Sequence, residues 1–431
     1  MKTQILCLTI FAFFASLTSV AQDKATLDLL VSKGLITRED ADKVSKNETR
    51  ISVVARNKDT KKIQLSGLVQ TQYEWVDTRA SAPVTRDAVS RNGFAARRLF
   101  LGIHGELGHG FTAGVVADFA ASGPEHAKFL NDAWIAKDFD GEYIKGRLMA
   151  GYNKVQFGYE ENMSATALVG IERSVASRYF VDQAKNGSGN VGFGSRYTGL
   201  FWKGEVRQIE GLEYGFALTN SQNFSLRPSA DSNFDNSLNM WANVLYKGKA
   251  DIFGSLLAYK TGVNFGYGNG ANPTFNGATQ NGEIWGVNPY LELQWQGLRL
   301  WSDFIITGIE HGRNNGTENA TPFGFNIAFE YKFDIGEFGA IAPAFRYSYL
   351  DTDGRGVRPS DGVFGASNPD PSGLYNNAHT VYLGLNWYII GNALKLQAGY
   401  EWARFEGSPA SESGPKKADA NAFRMQMQVV F

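Results

Sequence analysis

The strict two-residue periodicity of long segments constrains this chain most. In "FGFNIAFEYKFD" (323–334), Phe323, Phe325, Ile327, Phe329, Tyr331 and Phe333 share one face. Gly324, Asn326, Ala328, Glu330, Lys332 and Asp334 take the other. That is the period of a β-strand, whose side chains alternate between faces. "VYLGLNWYI" (381–389), "IQLSGLVQTQYEW" (63–75) and "IAPAFRYSY" (341–349) repeat it, the last with Arg346 and Ser348 on its polar face. Weaker runs lie near 97–107, 111–120, 131–137, 147–155, 191–203, 211–219, 237–247, 251–260, 284–295 and 298–309. One face is aromatic and aliphatic; the other carries Gln, Asn, Arg and Glu. Segments of about ten residues with this dyad pattern have the length and chemistry of strands that cross a bilayer in a closed barrel.

The last nine residues, "FRMQMQVVF", alternate too: Phe423, Met425, Met427, Val429 and Phe431 face one way. Left as a free edge, such a strand would invite aggregation. Pairing with the first strand near 63–75 removes the edge, and only closure satisfies every backbone group in lipid. Connections alternate between tight turns such as "FDIGEFG" (333–339) and long polar stretches such as 351–379. Aromatic residues gather near strand ends (Tyr73 and Trp75, Trp387 and Tyr388, Tyr400 and Trp402), as in interfacial girdles. The expected fold is therefore all-β, a transmembrane antiparallel barrel over 61–431. The alternative is a secreted or periplasmic β-rich glycan-binding protein, whose strands would also alternate.

The start, "MKTQILCLTIFAFFASLTSVAQ", reads as a signal peptide over 1–21, with basic Lys2, an apolar run and a small-residue cleavage site ending at Ala21. That predicts export, and with the barrel pattern an outer-membrane location. Cys7 is the single cysteine and lies in the apolar run, so no disulfide is expected. Residues 22–60 contain one helical stretch, read as a short N-terminal periplasmic helical segment and linker. The 42 basic and 43 acidic residues nearly balance, so no nucleic-acid partner is expected. "GSGNVG" (187–192) lacks the strand and helix that a dinucleotide loop needs. "DTDG" (351–354) begins like a calcium loop, but its twelfth position is Gly362. His104, Glu106 and His109 read as wall residues rather than metal ligands. The five histidines lack a nucleophile context, so neither enzyme activity nor a cofactor is expected.

Four stretches, "FAARRLFLGIHGEL" (94–107), "LMAGYNKVQFGYEENMSATALVGIERSV" (148–175), "FRYSYLD" (345–351) and "LGLNWYIIGNALKLQAGYEW" (383–402), together with the "RMQMQVVF" end, resemble the phosphate-selective porin O and P family. The central stretch is most specific, with Phe157–Glu160 and Glu172–Ser174. The resemblance implies a passive outer-membrane channel for small hydrophilic solutes, a homotrimer of barrels of about sixteen strands, with a loop within about 156–190 folded inward as the constriction. It matches Arg97 and Arg98 to a paired arginine near the narrow part of the pore and Asp118 to an acidic residue beside it. The terminal aromatic, Phe431, resembles the signal read by the outer-membrane assembly machinery. The arginine ladder of phosphate-binding members is not matched in 220–237, where Arg227 is the only basic residue. Thr166 stands near the place of a lysine. Lys154, Glu160, Glu161, Glu172, Arg173 and Arg178 belong to or flank the inward loop; they are expected to pin it by salt bridges, to set a transverse field across the pore, or both. Parity places Arg98 in the lumen and Arg97 at the rim, in a bulge, or snorkelling. A weak preference for small anions, phosphate among the candidates, follows as the expectation.

Overall fold

The computed structural model describes residues 52–53, 60–81, 89–120, 129–182, 189–221, 238–272, 280–367, 373–409 and 417–431. The expected leader (1–21), nearly all of 22–60, and Arg227 lie outside the described residues.

Among those residues, sixteen strands of eight residues or more follow one another antiparallel. They are β1 Thr60–Ser81, β2 Val89–Leu107, β3 Phe111–Asp118, β4 Leu130–Asp140, β5 Ile144–Lys154, β6 Arg196–Val206, β7 Leu212–Asn220 and β8 Leu238–Ile252. Then come β9 Ser255–Asn272, β10 Gln280–Trp295, β11 Leu298–Ile309, β12 Phe323–Tyr331, β13 Ala340–Asp351, β14 Asn377–Asn392, β15 Leu394–Glu406 and β16 Lys417–Val430. Each pairs with its neighbours in sequence. The sheet closes where β16 pairs with β1, from Lys417↔Ser81 to Val430↔Leu68. The alternating terminal strand is thus an interior member of a ring, with no free edge.

The strand ends explain the connections. Phe253-Gly254 and Gln296-Gly297 join β8 to β9 and β10 to β11 in two residues, all four with positive φ. That is the primed turn whose twist matches a hairpin. Connections on this side run from one to eight residues, and those between them from seven to 41, the alternation of outer-membrane barrels. The outer face is apolar and exposed: Leu101 and Ile103 on β2, Val263 and Phe265 on β9, Ile327 and Phe329 on β12, Leu383 and Leu385 on β14, Phe423 and Met425 on β16. Exposed side chains of that size along every part of the ring are at home only against lipid.

The interior is unequal around the ring. After β5 the chain turns into the lumen as α1 Tyr159–Asn162, a 3₁₀ turn Ala165–Ala167 and α2 Val175–Val181, leaving at Ser195 for β6. Phe157, Val175, Phe180, Val181 and Phe193 build a buried apolar core against the wall residues Trp241, Ile284, Ile305 and Leu350. Wall glycines make this approach possible. A Cβ on Gly286 would meet the Phe157 ring at 2.6 Å, and one on Gly324 would meet Ala176 of α2 at 2.9 Å.

The described residues of the 352–376 connection pack inward, where the sequence shows only a long polar stretch (351–379). Its α3 (Pro359–Gly362), Val357, Val363, Ala366 and Tyr375 are buried in the same core as α2. Inward-facing Gln70, Gln72, Asn326, Arg346, Asn386, Glu401 and Gln426 on β1 and β12–β16 are consequently buried beneath the loops. On β2–β7 the inward side chains His104, Trp134, Arg147, Lys203 and Glu213 keep contact with solvent. The loops fill one side of the lumen and reach Tyr197, Phe201 and Ala217 on β6 and β7, leaving open the stretch of wall that carries the wetted residues.

Candidate functional site

The loop acids and their basic partners line the boundary between the filled and open sides. Arg97 sits there because of a β-bulge. Gln70 pairs with Arg98 and Thr71 with Ala96, leaving Arg97 as the extra residue. A bulge re-aims a side chain, and Arg97, whose parity would otherwise point it at lipid, turns inward. Its Nε and Nη2 donate to the two carboxylate oxygens of Glu172 at 2.6 and 2.9 Å. Arg98 donates to Gln70 Oε1 at 2.7 Å and lies 3.7 Å from Glu172. Gln72 also donates to Glu172, at 3.0 Å. Glu172 is buried, which disfavours its charge, but Arg97 and Arg98 hold its carboxyl well below the usual range.

Glu161 forms the second centre. Lys154 Nζ lies 2.7 Å from one oxygen and Arg173 Nε 2.8 Å from the other. Burial raises this carboxyl, but Arg173 and Lys154 more than offset it and bring it to about 2. Glu160 faces the wall: it accepts from the Ser174 N–H at 2.8 Å, the Ser174 hydroxyl at 2.6 Å and Arg346 Nη1 at 2.9 Å. Ser174 in turn accepts the Ser177 N–H at 3.1 Å and caps α2. From Arg346 a buried chain continues through Glu401 to Arg424, at 2.9 and 3.0 Å. Lys395 reaches in from β15 and donates to the carbonyl of Thr166 at 2.8 Å. Removing one member of such a buried network strands a charge.

The sequence-predicted residues therefore divide. Arg97, Arg98, Lys154, Glu160, Glu161, Arg173 and Glu172 are brought into one contiguous set. Arg178 pairs within α2 with Asp182 at 3.2 Å. Asp118 stands apart from the arginine pairs: its Oδ1 accepts the N–H groups of Leu99 and Ala120 at 3.1 and 3.0 Å and secures the end of β3. Arg346, which the sequence places only on a polar strand face, and Glu401, Arg424 and Lys395 are not marked as site residues by sequence; their signal, a charged residue at an inward strand position, is shared by every wetted wall residue. Asp351 and Asp353, in the stretch that begins like a calcium loop but lacks its twelfth ligand, serve a turn in which Arg313 meets Asp353 at 2.9 Å.

In three of these pairs the acid lies beneath the base. Arg97 keeps 24% of its side chain exposed against 2% for Glu172, Lys154 17% against 8% for Glu161, and Arg173 16% against the same 8%. Arg178 and Asp182 reverse this, at 14% and 43%.

The model of the phosphate-selective porin O and P family matches residues 68–283 and 311–431. No curated protein matches the sequence. Among solved structures, the chain is similar to the anion-selective porin from Comamonas acidovorans, at 14% identity and a TM-score of 0.53, over 86% of this chain and 99% of that one. It is also similar to the outer-membrane channel DcaP of Acinetobacter baumannii, at 11% identity and a TM-score of 0.53, over 88% and 99%. These likenesses show a shared barrel fold. They do not favour the soluble glycan-binding alternative. With the matched segments spanning most of the barrel, the chain belongs to the phosphate-selective porin O and P family and is an outer-membrane channel.

Proposed function

We propose that this channel passes small hydrophilic solutes by diffusion with a weak preference for anions, and that it works as a homotrimer. The observation behind the preference is the layering of charge at the inward loop, where Arg97, Lys154 and Arg173 are presented to solvent above buried Glu172 and Glu161. A permeating ion meets the outer layer first, and the field of that layer is basic. Each base is nevertheless paired, and the exposed Asp182 opposes it, so the preference is small and screened by salt. Both carboxylate-facing nitrogens of Arg97 are taken by Glu172. That leaves no free two-pronged guanidinium for phosphate, and tight phosphate block is not expected. The chemistry is passive and involves no bond making or breaking. Phe431, apolar and exposed after β16, suits recognition by the assembly machinery.

The deciding experiment is reversal potential across a planar bilayer in a chloride gradient at low salt, with phosphate added. A modest anion-selective potential with weak block supports the reading; cation selectivity overturns it. The trimer is tested by the mass of the native, heat-modifiable species.

A further inference from the structure

Phe364 stands out among the apolar residues of the 352–376 connection. Its neighbours Val357, Val363, Ala366 and Tyr375 are buried in the core, but Phe364 is only partly covered. Its ring lies against cations instead of hydrocarbon. The Arg97 guanidinium is 4.1 Å from the ring centroid and that of Arg178 is 5.5 Å away. Arg424 donates to the Phe364 carbonyl. A Cβ on the following Gly365, at φ +80°, would lie 2.3 Å from the Arg91 guanidinium. Four arginines thus converge on two residues, each with its own carboxylate: Arg91 with Glu74, Arg97 with Glu172, Arg178 with Asp182 and Arg424 with Glu401.

A cleft between two guanidiniums is a place for an oxyanion. Here it is filled by a ring whose π face carries partial negative charge and stabilises both cations without being a mobile ligand. We propose that Phe364 is a specificity-determining residue of the channel: its ring occupies the position between Arg97 and Arg178 where a small oxyanion would otherwise lodge. The arginines then draw anions toward the constriction without retaining them, and conduction requires such binding weak enough to leave. Phe364 is held in this position by its chain neighbours, since Val363 is buried and α3 packs against Val175 and Phe405 through Gly362. This inference rests on the reading that Arg97 faces the ion path.

The test uses the assembled full-length channel in a planar bilayer with inorganic phosphate as probe. For Phe364→Ala the phosphate concentration that halves the chloride current should fall about two- to fivefold, the scale of a cation–π contact exchanged for an anion contact. Phe364→Leu keeps the bulk but loses the π face, and should shift in the same direction by less. An assembled Phe364→Ala channel with unchanged half-block overturns the proposal. Where Phe364→Ala does not assemble, unchanged half-block in Phe364→Val, which also opens the position, overturns it equally. Arg97→Ala separates the two readings. If it shifts the reversal potential while the Phe364 variants leave phosphate block unchanged, this inference fails and the anion preference stands. If it does not shift the reversal potential, the anion preference itself fails.

Discussion

At the scale of single residues, the balance of charge turns on Glu172. It is buried between Arg97, Arg98 and Gln72. Glu172→Gln leaves two guanidiniums without their counter-charge, one of them buried. The expected cost is about 3–5 kcal/mol, read as a lower unfolding midpoint in detergent. Any assembled Glu172→Gln channel should be more anion-selective than the wild type, because the bases remain. Arg97→Ala should move the reversal potential toward cations, most at low salt. It also strands Glu172, so some loss of stability accompanies it; equal stability would mean that the pair adds nothing. Acid should loosen the loop with a definite sign. The Glu161 carboxyl lies near 2 in the folded state, below its ordinary value of 4.5. A depressed carboxyl contributes stability that is whole above the ordinary value and is lost as pH falls toward the folded one. Protease resistance of the inward loop, and quiet single-channel current, should therefore hold from neutral pH to about 4.5 and decline between there and about 2. Glu161→Gln should be already loosened at neutral pH and show a smaller acid response, the remainder coming from Glu172, whose carboxyl is also held low; an undiminished acid response would place the sensitive group elsewhere. The place of Arg97 was partly legible in sequence. It shares the lipid-facing parity of Leu99, Leu101 and Ile103, which conflicts with its charge, and a bulge is one of the few ways a strand resolves that conflict.

At the scale of elements, β12 shows what alternation does and does not reveal. Ile327 and Phe329 are exposed on the outer face, and Asn326, Ala328 and Glu330 are buried on the inner face. Ile327→Arg, at the lipid face, should reduce membrane-inserted yield, with a cost of about 2–4 kcal/mol near the midplane. From the pattern alone, Asn326→Arg should be tolerated in a watery lumen. The structure corrects this: Asn326 donates to Asp303 at 2.8 Å beneath the packed loop. Asn326→Arg should thus also lower yield, whereas Lys203→Gln on the open side of the lumen should not. Comparable yields of the two lumenal variants would contradict the filled-side assignment. Dyad patterning separates lipid from everything else, because only lipid forbids polar groups. Whether a polar wall residue meets water or a loop depends on contacts far away in sequence. The same limit hid the packing of 352–376. Its Val357, Val363, Leu374 and Tyr375 are too sparse to show a period among Asp, Gly, Pro and Asn. The anchors Phe157–Glu160 and Glu172–Ser174 were legible only through family resemblance, since nothing local distinguishes a pinning glutamate from a wetted one.

At the scale of the whole molecule, closure joins distant parts of the chain, and β16 pairs on one side with β15 and on the other with β1. Deleting Phe431 should leave these pairings intact yet lower the amount of assembled channel in outer membranes, measured against an unchanged unfolding midpoint of what does assemble. Equal amounts would remove the proposed role in assembly. The unequal lumen has a further consequence, for how such a channel can diversify. Where loops cover the wall, on β1 and β12–β16, inward side chains such as Gln70, Arg346, Asn386 and Glu401 are fitted to partners, and a replacement there disturbs assembly before it alters transport. Across the open face of β2–β7, side chains such as His104, Arg147 and Lys203 meet solvent. Replacements there change what an ion encounters at little cost to the fold. Solute preference is thus free to drift along one side of the barrel while the opposite side keeps the architecture fixed.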